Sequence, residues 1–398
     1  MSSKRIDFAR HHGKVYTSSA PLQVVTGTKS GLIREAQLVS NAGDPDGFVH
    51  LLIHIFHPTK ADQAKPVIIL MPGMLCNSTL FRIPIDGNDY KNMDNLTSQA
   101  NRLADQGFHV VLLNRRDSQW IQARFVANKL GVNNHFDPKQ SYRSQAADYE
   151  FLIDAAICLS GQEKAAIGGF SMGGMQLIYL LAFMEIDPRT AGVMFLGTPV
   201  DFHDNTFLLS NALRAYSTAA RLLPLKDLHA LSLFAQRIPQ LKGIVKDIGA
   251  AEPTSKPGKA AISLRDKVAA KLFFLLPALY EPNTPAGTKK PIIDYVLESL
   301  APDVVQALLS MFERGNLFQR EKGRRYLEAL GEKALPKALV VSGDKDPLVT
   351  PKSHALLMRT LARDTKELIV PETGHVDLLT GYSSVQTVDA IADFAQKL

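Results

Sequence analysis

The feature that most narrows the fold is a set of short, continuously apolar runs at residues 66–71, 108–113, 164–168, 191–196, 338–341 and 367–370. A strand buried on both faces reads as an unbroken apolar run, whereas a half-exposed strand alternates. Helix-period segments at 93–106, 145–160, 174–184 and 383–397 separate most of these runs. Strands alternating with helices form βαβ units, and these imply a mostly parallel sheet covered by helices. The expected fold class is therefore α/β.

Outside this rhythm the pattern differs. Residues 32–39 and 48–56 alternate and read as an antiparallel hairpin leading into the sheet. Between Asp201 and Leu335 helix-period stretches such as 208–223 and 304–312 dominate, broken by Pro-rich segments at 252–258 and 282–290. The expected organisation is an N-terminal arm over 1–30, a first part of the α/β core over 31–200, an inserted helical lid over 201–335, and the rest of the core over 336–398. No internal repeat is evident.

Composition sets outer bounds. With 398 residues, 45% hydrophobic and 21% charged, the chain has ordinary globular composition, which excludes collagen-like, coiled-coil and disordered classes. Two cysteines, Cys76 and Cys158, cannot make a disulfide framework and match no zinc spacing, so both read as small packing residues in a reducing compartment. The first thirty residues hold no apolar stretch of signal-peptide length, and no later run reaches the length of a membrane span. The expected location is cytoplasmic. Net charge is 45 − 39 = +6, and residues 221–335 alone carry 18 Lys+Arg against 12 Asp+Glu. These cations are scattered among Leu, Phe and Ala with no nucleic-acid motif, so solvated helix faces are expected, with peripheral lipid association as a weaker option and no nucleic-acid partner.

The chemistry lies at the ends of the apolar runs. After the run at 164–168 comes Gly169-Phe170-Ser171-Met172-Gly173-Gly174, followed at once by a helical pattern. This is a Gly-x-Ser-x-Gly sequence between a buried strand and a helix. A serine there sits on a very tight turn in a strained backbone, with Gly169 and Gly173 flanking it to avoid clashes. Such a nucleophile needs a base, and the base an orienting carboxylate. The run at 338–341 leads into Ser342-Gly343-Asp344-Lys345-Asp346, and Asp346 is the expected acid, with Asp344 its competitor. The run at 367–370 leads into Pro371-Glu372-Thr373-Gly374-His375, and His375 is the expected base; His50, His54 and His57 read as surface residues of the hairpin. The order Ser171, Asp346, His375 is the chain order expected for this α/β architecture.

A carbonyl under attack also needs donors for its oxyanion. The Met172 amide, directly after the nucleophile, supplies one. The loop after 66–71, Pro72-Gly73-Met74, supplies the second through the Met74 amide, with Gly73 permitting the close turn.

Together these residues resemble the α/β-hydrolase superfamily, over roughly 66–200 and 338–398. Gly169 to Gly174, Gly197-Thr198-Pro199-Val200-Asp201-Phe202, Asp346-Pro347-Leu348-Val349-Thr350-Pro351 and Gly374-His375-Val376-Asp377 further resemble its polyhydroxyalkanoate synthase-related, lipase-like branch. The resemblance implies a Ser-Asp-His site beneath a helical lid and an acyl-ester substrate. Polymerising synthases of that branch carry cysteine where this chain has Ser171, and many relatives carry His-Gly where it has Pro72-Gly73. The expected activity is a carboxylic ester hydrolase working through an acyl-enzyme on small-molecule or lipid esters, with no metal or organic cofactor. An acyltransferase and a catalytically silent binding protein are the alternatives. The apolar stretch 272–280 is expected either to line an acyl pocket or to form the core of the lid.

Overall fold

The computed structural model describes residues 2–7, 12–17, 23–24, 33–41, 51–58, 65–74, 76–85, 97–115, 141–202, 281–285, 288, 292, 296, 302–313, 320–321, 324–361 and 364–398. The stretches 208–223, 252–258 and 272–280 lie outside the described residues. So do His50 and most of 201–335.

The alternating segments near the start form antiparallel strands. β1 (Ser2–Asp7), β2 (His12–Thr17), the two-residue β3 (Gln23–Val24), β4 (Ile33–Asn41) and β5 (Leu51–His57) belong to one sheet. The expected hairpin is β4 and β5, paired from Ile33 opposite His57 to Val39 opposite Leu51. The preceding β1 and β2, which fall within the arm over 1–30, extend the same sheet antiparallel.

The continuous runs then supply β6 (Val67–Met71), β7 (Val110–Leu113), β8 (Ala165–Phe170) and β9 (Thr190–Leu196). A separate two-residue pair, β10 (Arg320–Glu321) and β11 (Arg324–Arg325), precedes β12 (Lys337–Gly343) and β13 (Lys366–Val370). The spatial order is β5-β7-β6-β8-β9-β12-β13, and every pair after β5-β7 in that series is parallel. All residues of β6, β7 and β8 are buried, which is why their sequences do not alternate. Burial of each Val, Ile or Leu here contributes about 1.5–3 kcal/mol, so these central strands dominate the core.

One run behaves differently. β13 pairs with β12 on one side, and its Ile369 is 51% exposed, so this run does not form a strand covered on both faces. An edge position leaves its outer face to solvent.

The described helices are α1 (Gln99–Asp105), α2 (Tyr142–Ser160), α3 (Met172–Phe183), α4 (Pro302–Glu313), α5 (Tyr326–Gly331), α6 (Pro351–Thr360), α7 (Asp377–Thr380) and α8 (Ser384–Ala395). The expected helix over 93–106 starts at Gln99, because Ser98 is extended and its hydroxyl caps the Asn101 amide; residues 93–96 lie outside the described set. Ser141 and Ser144 form a reciprocal cap at the head of α2, and Gly161 ends it in the left-handed conformation at φ 70°. Within 201–335, the helix expected at 304–312 is present as α4.

Candidate active site

Loops leaving the carboxyl ends of β6, β8, β12 and β13 gather on one edge of the parallel sheet, where this architecture collects its chemistry. Ser171 follows β8 directly with φ 53° and ψ −117°, a conformation that L-residues seldom adopt and that costs about 1–3 kcal/mol. Its amide donates to the Leu196 carbonyl at 2.9 Å, and its own carbonyl accepts from the Met175 amide at 3.1 Å, locking strand, turn and helix together. The flanking glycines answer to crowding. A Cβ on Gly169 would sit 2.5 Å from the Gly173 carbonyl, and one on Gly173 would sit 2.7 Å from the carbonyl oxygens of Met71 and Pro72. A Cβ on Gly174 would collide with Thr198 Oγ1.

The loop after β6 lies against this turn. A Cβ on Gly73 would stand 3.0 Å from both Ser171 Cβ and Phe170 Cδ1, so only a bare backbone approaches so closely. Met74 follows half-buried, and the Met172 amide opens α3, where unsatisfied N–H groups and the helix dipole favour negative charge. Sequence reasoning missed what holds this loop. Arg115, just beyond β7 and buried, donates from Nη1 to the Gly73 carbonyl and, at 3.4 Å, to that of Pro72. The neighbouring Asn114 accepts from the Ser78 amide at 2.7 Å and donates to Leu52 O at 3.1 Å. Their position at the carboxyl end of a buried run was the one available signal.

Asp346 and His375 meet. His375 Nδ1 lies 2.7 Å from Asp346 Oδ2, and both side chains are almost wholly buried. Asp346 Oδ1 accepts from the amides of Leu348 at 2.8 Å and Val349 at 3.0 Å, which fixes the carboxylate plane. The imidazole packs at 4.8 Å between ring centroids on Phe170, the residue before Ser171. Gly197, at φ 52°, borders the same place: a Cβ there would meet Leu378 at 3.1 Å, Phe170 at 3.3 Å and His375 at 3.4 Å.

Asp344 does different work. Its Oδ1 accepts from the Thr373 amide at 3.2 Å and its Oδ2 pairs with Lys345 at 3.2 Å. Burial pushes this carboxyl upward, but the Thr373 amide and the Lys345 ammonium outweigh it and hold it below the usual range. It is a turn acid that ties two loops.

Cys76 is buried behind the Gly73 loop, and burial pushes its thiol up to about 12, with the Arg115 charge offsetting part of the rise. Of the hairpin histidines, His54 is buried rather than at the surface; its strand β5 packs against α1 and α2 as well as pairing with β4 and β7. His57 Nδ1 lies 3.0 Å from His109 Nδ1, and burial together with His57 lowers His109 to about 4. Among the described residues no three of His, Cys, Asp and Glu gather to hold a metal ion, and no helix is long and apolar enough to cross a membrane.

Solved structures share this architecture. A thermophilic esterase from Thermogutta terrifontis matches with 17% identity and a TM-score of 0.52, over 89% of this chain and 96% of its own. A protein described as a candidate lipase from Sulfolobus solfataricus matches with 16% identity and a TM-score of 0.52, over 96% of this chain and 97% of its own. At these identities the likeness is one of fold. No curated protein sequence matches the chain. The family model for the alpha/beta hydrolase fold matches residues 66–382, well over half of the chain and spanning every loop of the gathered edge, and the protein belongs to that family.

Proposed function

We propose that this hydrolase cleaves carboxylic esters through an acyl-enzyme on Ser171, with His375 as general base and Asp346 as its orienting acid. The observation that carries the reading is the buried His375–Asp346 pair, its imidazole packed on Phe170, next in the chain to a serine held at φ 53° on a strand-to-helix turn. A strained serine flanked by obligatory glycines has no packing reason to exist there. A hydroxyl is protonated at neutral pH and attacks only when a base removes its proton.

In this mechanism Asp346 Oδ2 accepts the His375 Nδ1–H, which leaves the Nε2 lone pair to take the Ser171 proton as Oγ adds to the ester carbonyl. The oxyanion is received by the amides of Met172 and Met74. Imidazolium then protonates the departing alkoxide, and the alcohol leaves. Water, deprotonated by the same imidazole, adds to the acyl-enzyme, and the imidazolium returns that proton to Ser171 Oγ as the acid leaves. Asp346, held by the Leu348 and Val349 amides, stabilises the imidazolium at both stages.

The substrate class is a small-molecule or lipid ester. The stretch 201–335 is read as a lid over this edge, and the two free thiols suit a reducing, cytoplasmic setting. The test is turnover of a panel of aryl esters of graded acyl length by the wild-type protein and by Ser171→Ala. A fall of about six orders of magnitude with unchanged folding is expected. A loss under about tenfold, or failure of a fluorophosphonate to label Ser171, would reject the assignment.

A further inference from the structure

Residues 281–285, within the 201–335 stretch, bind the loop that carries His375. Asn283, in a short 3₁₀ turn (Glu281–Asn283), is buried. Its amide Nδ2 donates to Ser383 Oγ at 2.6 Å and to Thr373 Oγ1 at 3.3 Å. Its Oδ1 accepts from the Ser383 amide at 2.9 Å, and its carbonyl from the Tyr382 amide at 3.0 Å. Next to it, Thr284 Oγ1 donates to Asp377 Oδ1 at 2.9 Å. Thr373 and Asp377 stand two residues before and two residues after His375. Further along the same stretch, the Val296 carbonyl accepts from the Asn77 amide at 3.0 Å, close to the Gly73 loop.

We infer that Asn283 is a positioning residue for the His375 base, through which the 201–335 stretch sets the geometry of the catalytic edge. The inference rests on the reading of His375 given above. Thr373 is the relay. Its side chain meets Asn283, while its own amide donates to Asp344 Oδ1 and its carbonyl accepts from the Lys345 amide at 3.1 Å, within the turn that presents Asp346. A shift at Thr373 therefore moves the base and the acid turn together.

The proton inventory requires an amide at position 283. The single Thr373 hydroxyl proton goes to the Pro371 carbonyl at 2.8 Å. Thr373 Oγ1 and Ser383 Oγ lie 2.6 Å apart, so Ser383 must donate and Thr373 accept. Both hydroxyls then present lone pairs to position 283, and the two amide hydrogens of Asn283 satisfy them. An aspartate of the same shape would set a negative oxygen against those lone pairs. The space is also tailored to the amide: a Cβ on Gly381 would lie 2.6 Å from Asn283 Nδ2.

The experiment measures kcat and KM for ester hydrolysis, together with melting temperature and far-UV circular dichroism, for the full chain and for Asn283→Ala, Asn283→Asp, Thr373→Val and Thr373→Ser. Displacement of a catalytic group by about 1 Å costs about 100-fold in rate. The expected result is a fall of that order in kcat, with KM within about threefold, for Asn283→Ala, Asn283→Asp and Thr373→Val, and near-normal kcat for Thr373→Ser, which keeps the hydroxyl. A folded Asn283→Ala protein with kcat within about threefold of wild type, or a loss seen only in KM, would overturn the inference. Should Asn283→Ala not fold, Thr373→Val decides by the same thresholds. Ser171→Ala separates the two readings: if it keeps wild-type turnover the ester hydrolase reading falls, whereas an inactive Ser171→Ala beside a fully active Asn283→Ala removes this inference alone.

Discussion

Replacing Asp346 by Asn should disable the site through the histidine tautomer rather than through lost folding. Asp346 Oδ1 accepts from two backbone amides, of Leu348 and Val349, so in the Asn variant the amide oxygen must keep that place. The new NH₂ group then faces His375 Nδ1 at the position of Oδ2, 2.7 Å away. A donor there requires Nδ1 to accept, which moves the ring proton to Nε2 and removes the lone pair that should receive the serine proton. In serine enzymes that use this arrangement, the same isosteric change lowers kcat about 10⁴-fold, or about 5 kcal/mol of barrier. Steady-state hydrolysis of an aryl ester at pH 7.5, with melting temperature as the folding control, reads the effect. Asp344→Asn is the matched comparison: its carboxylate ties Thr373 and Lys345, and a loss below about tenfold is expected. An Asp346→Asn protein keeping more than about a tenth of wild-type activity, with Asp344→Asn the more damaged of the two, would refute the reasoning.

Two further outcomes concern groups outside the chemistry. With its thiol pushed up to about 12, Cys76 should resist a thiol reagent at pH 8 in the folded protein and react only on adding denaturant, while the partly exposed Cys158 reacts first. His109 titrates near 4 in the folded state, so the native protein binds fewer protons than the unfolded chain between pH 4 and about 6.5. Its contribution to stability is therefore complete above about pH 6.5 and lost as pH falls through 4. Urea midpoints measured across that interval should fall, and should fall less in His109→Asn.

Much of the architecture could be read because the relevant signals are local. The runs at 66–71, 108–113 and 164–168 are continuous because both faces of β6, β7 and β8 are covered, and the alternation at 32–39 and 48–56 matches the β4–β5 pair. The turn around Ser171 was legible for the same reason: its demand for glycine at 169 and 173 is met within five consecutive residues. Exposure on β13 was not legible, since the run at 367–370 resembles the others and only its place at the margin of the described sheet leaves Ile369 open. His54 does not read as buried from the sequence because the helices packed on β5, α1 and α2, come from later stretches of the chain.

Primary structure alone dictated the strand-helix alternation and the tight serine turn, because each follows from backbone sterics or from apolar period over a few residues. Three-dimensional packing assigned the partners. It set His375 on Asp346 and left Asp344 to bridge Thr373 and Lys345, although both acids sit within one turn. It also brought Arg115 to the Gly73 carbonyl and Asn283 to Thr373, across 42 and 90 residues of chain respectively. Hydrogen bonds form over about 3 Å and act between whichever groups the fold brings that close, and no local pattern encodes which distant residues those are.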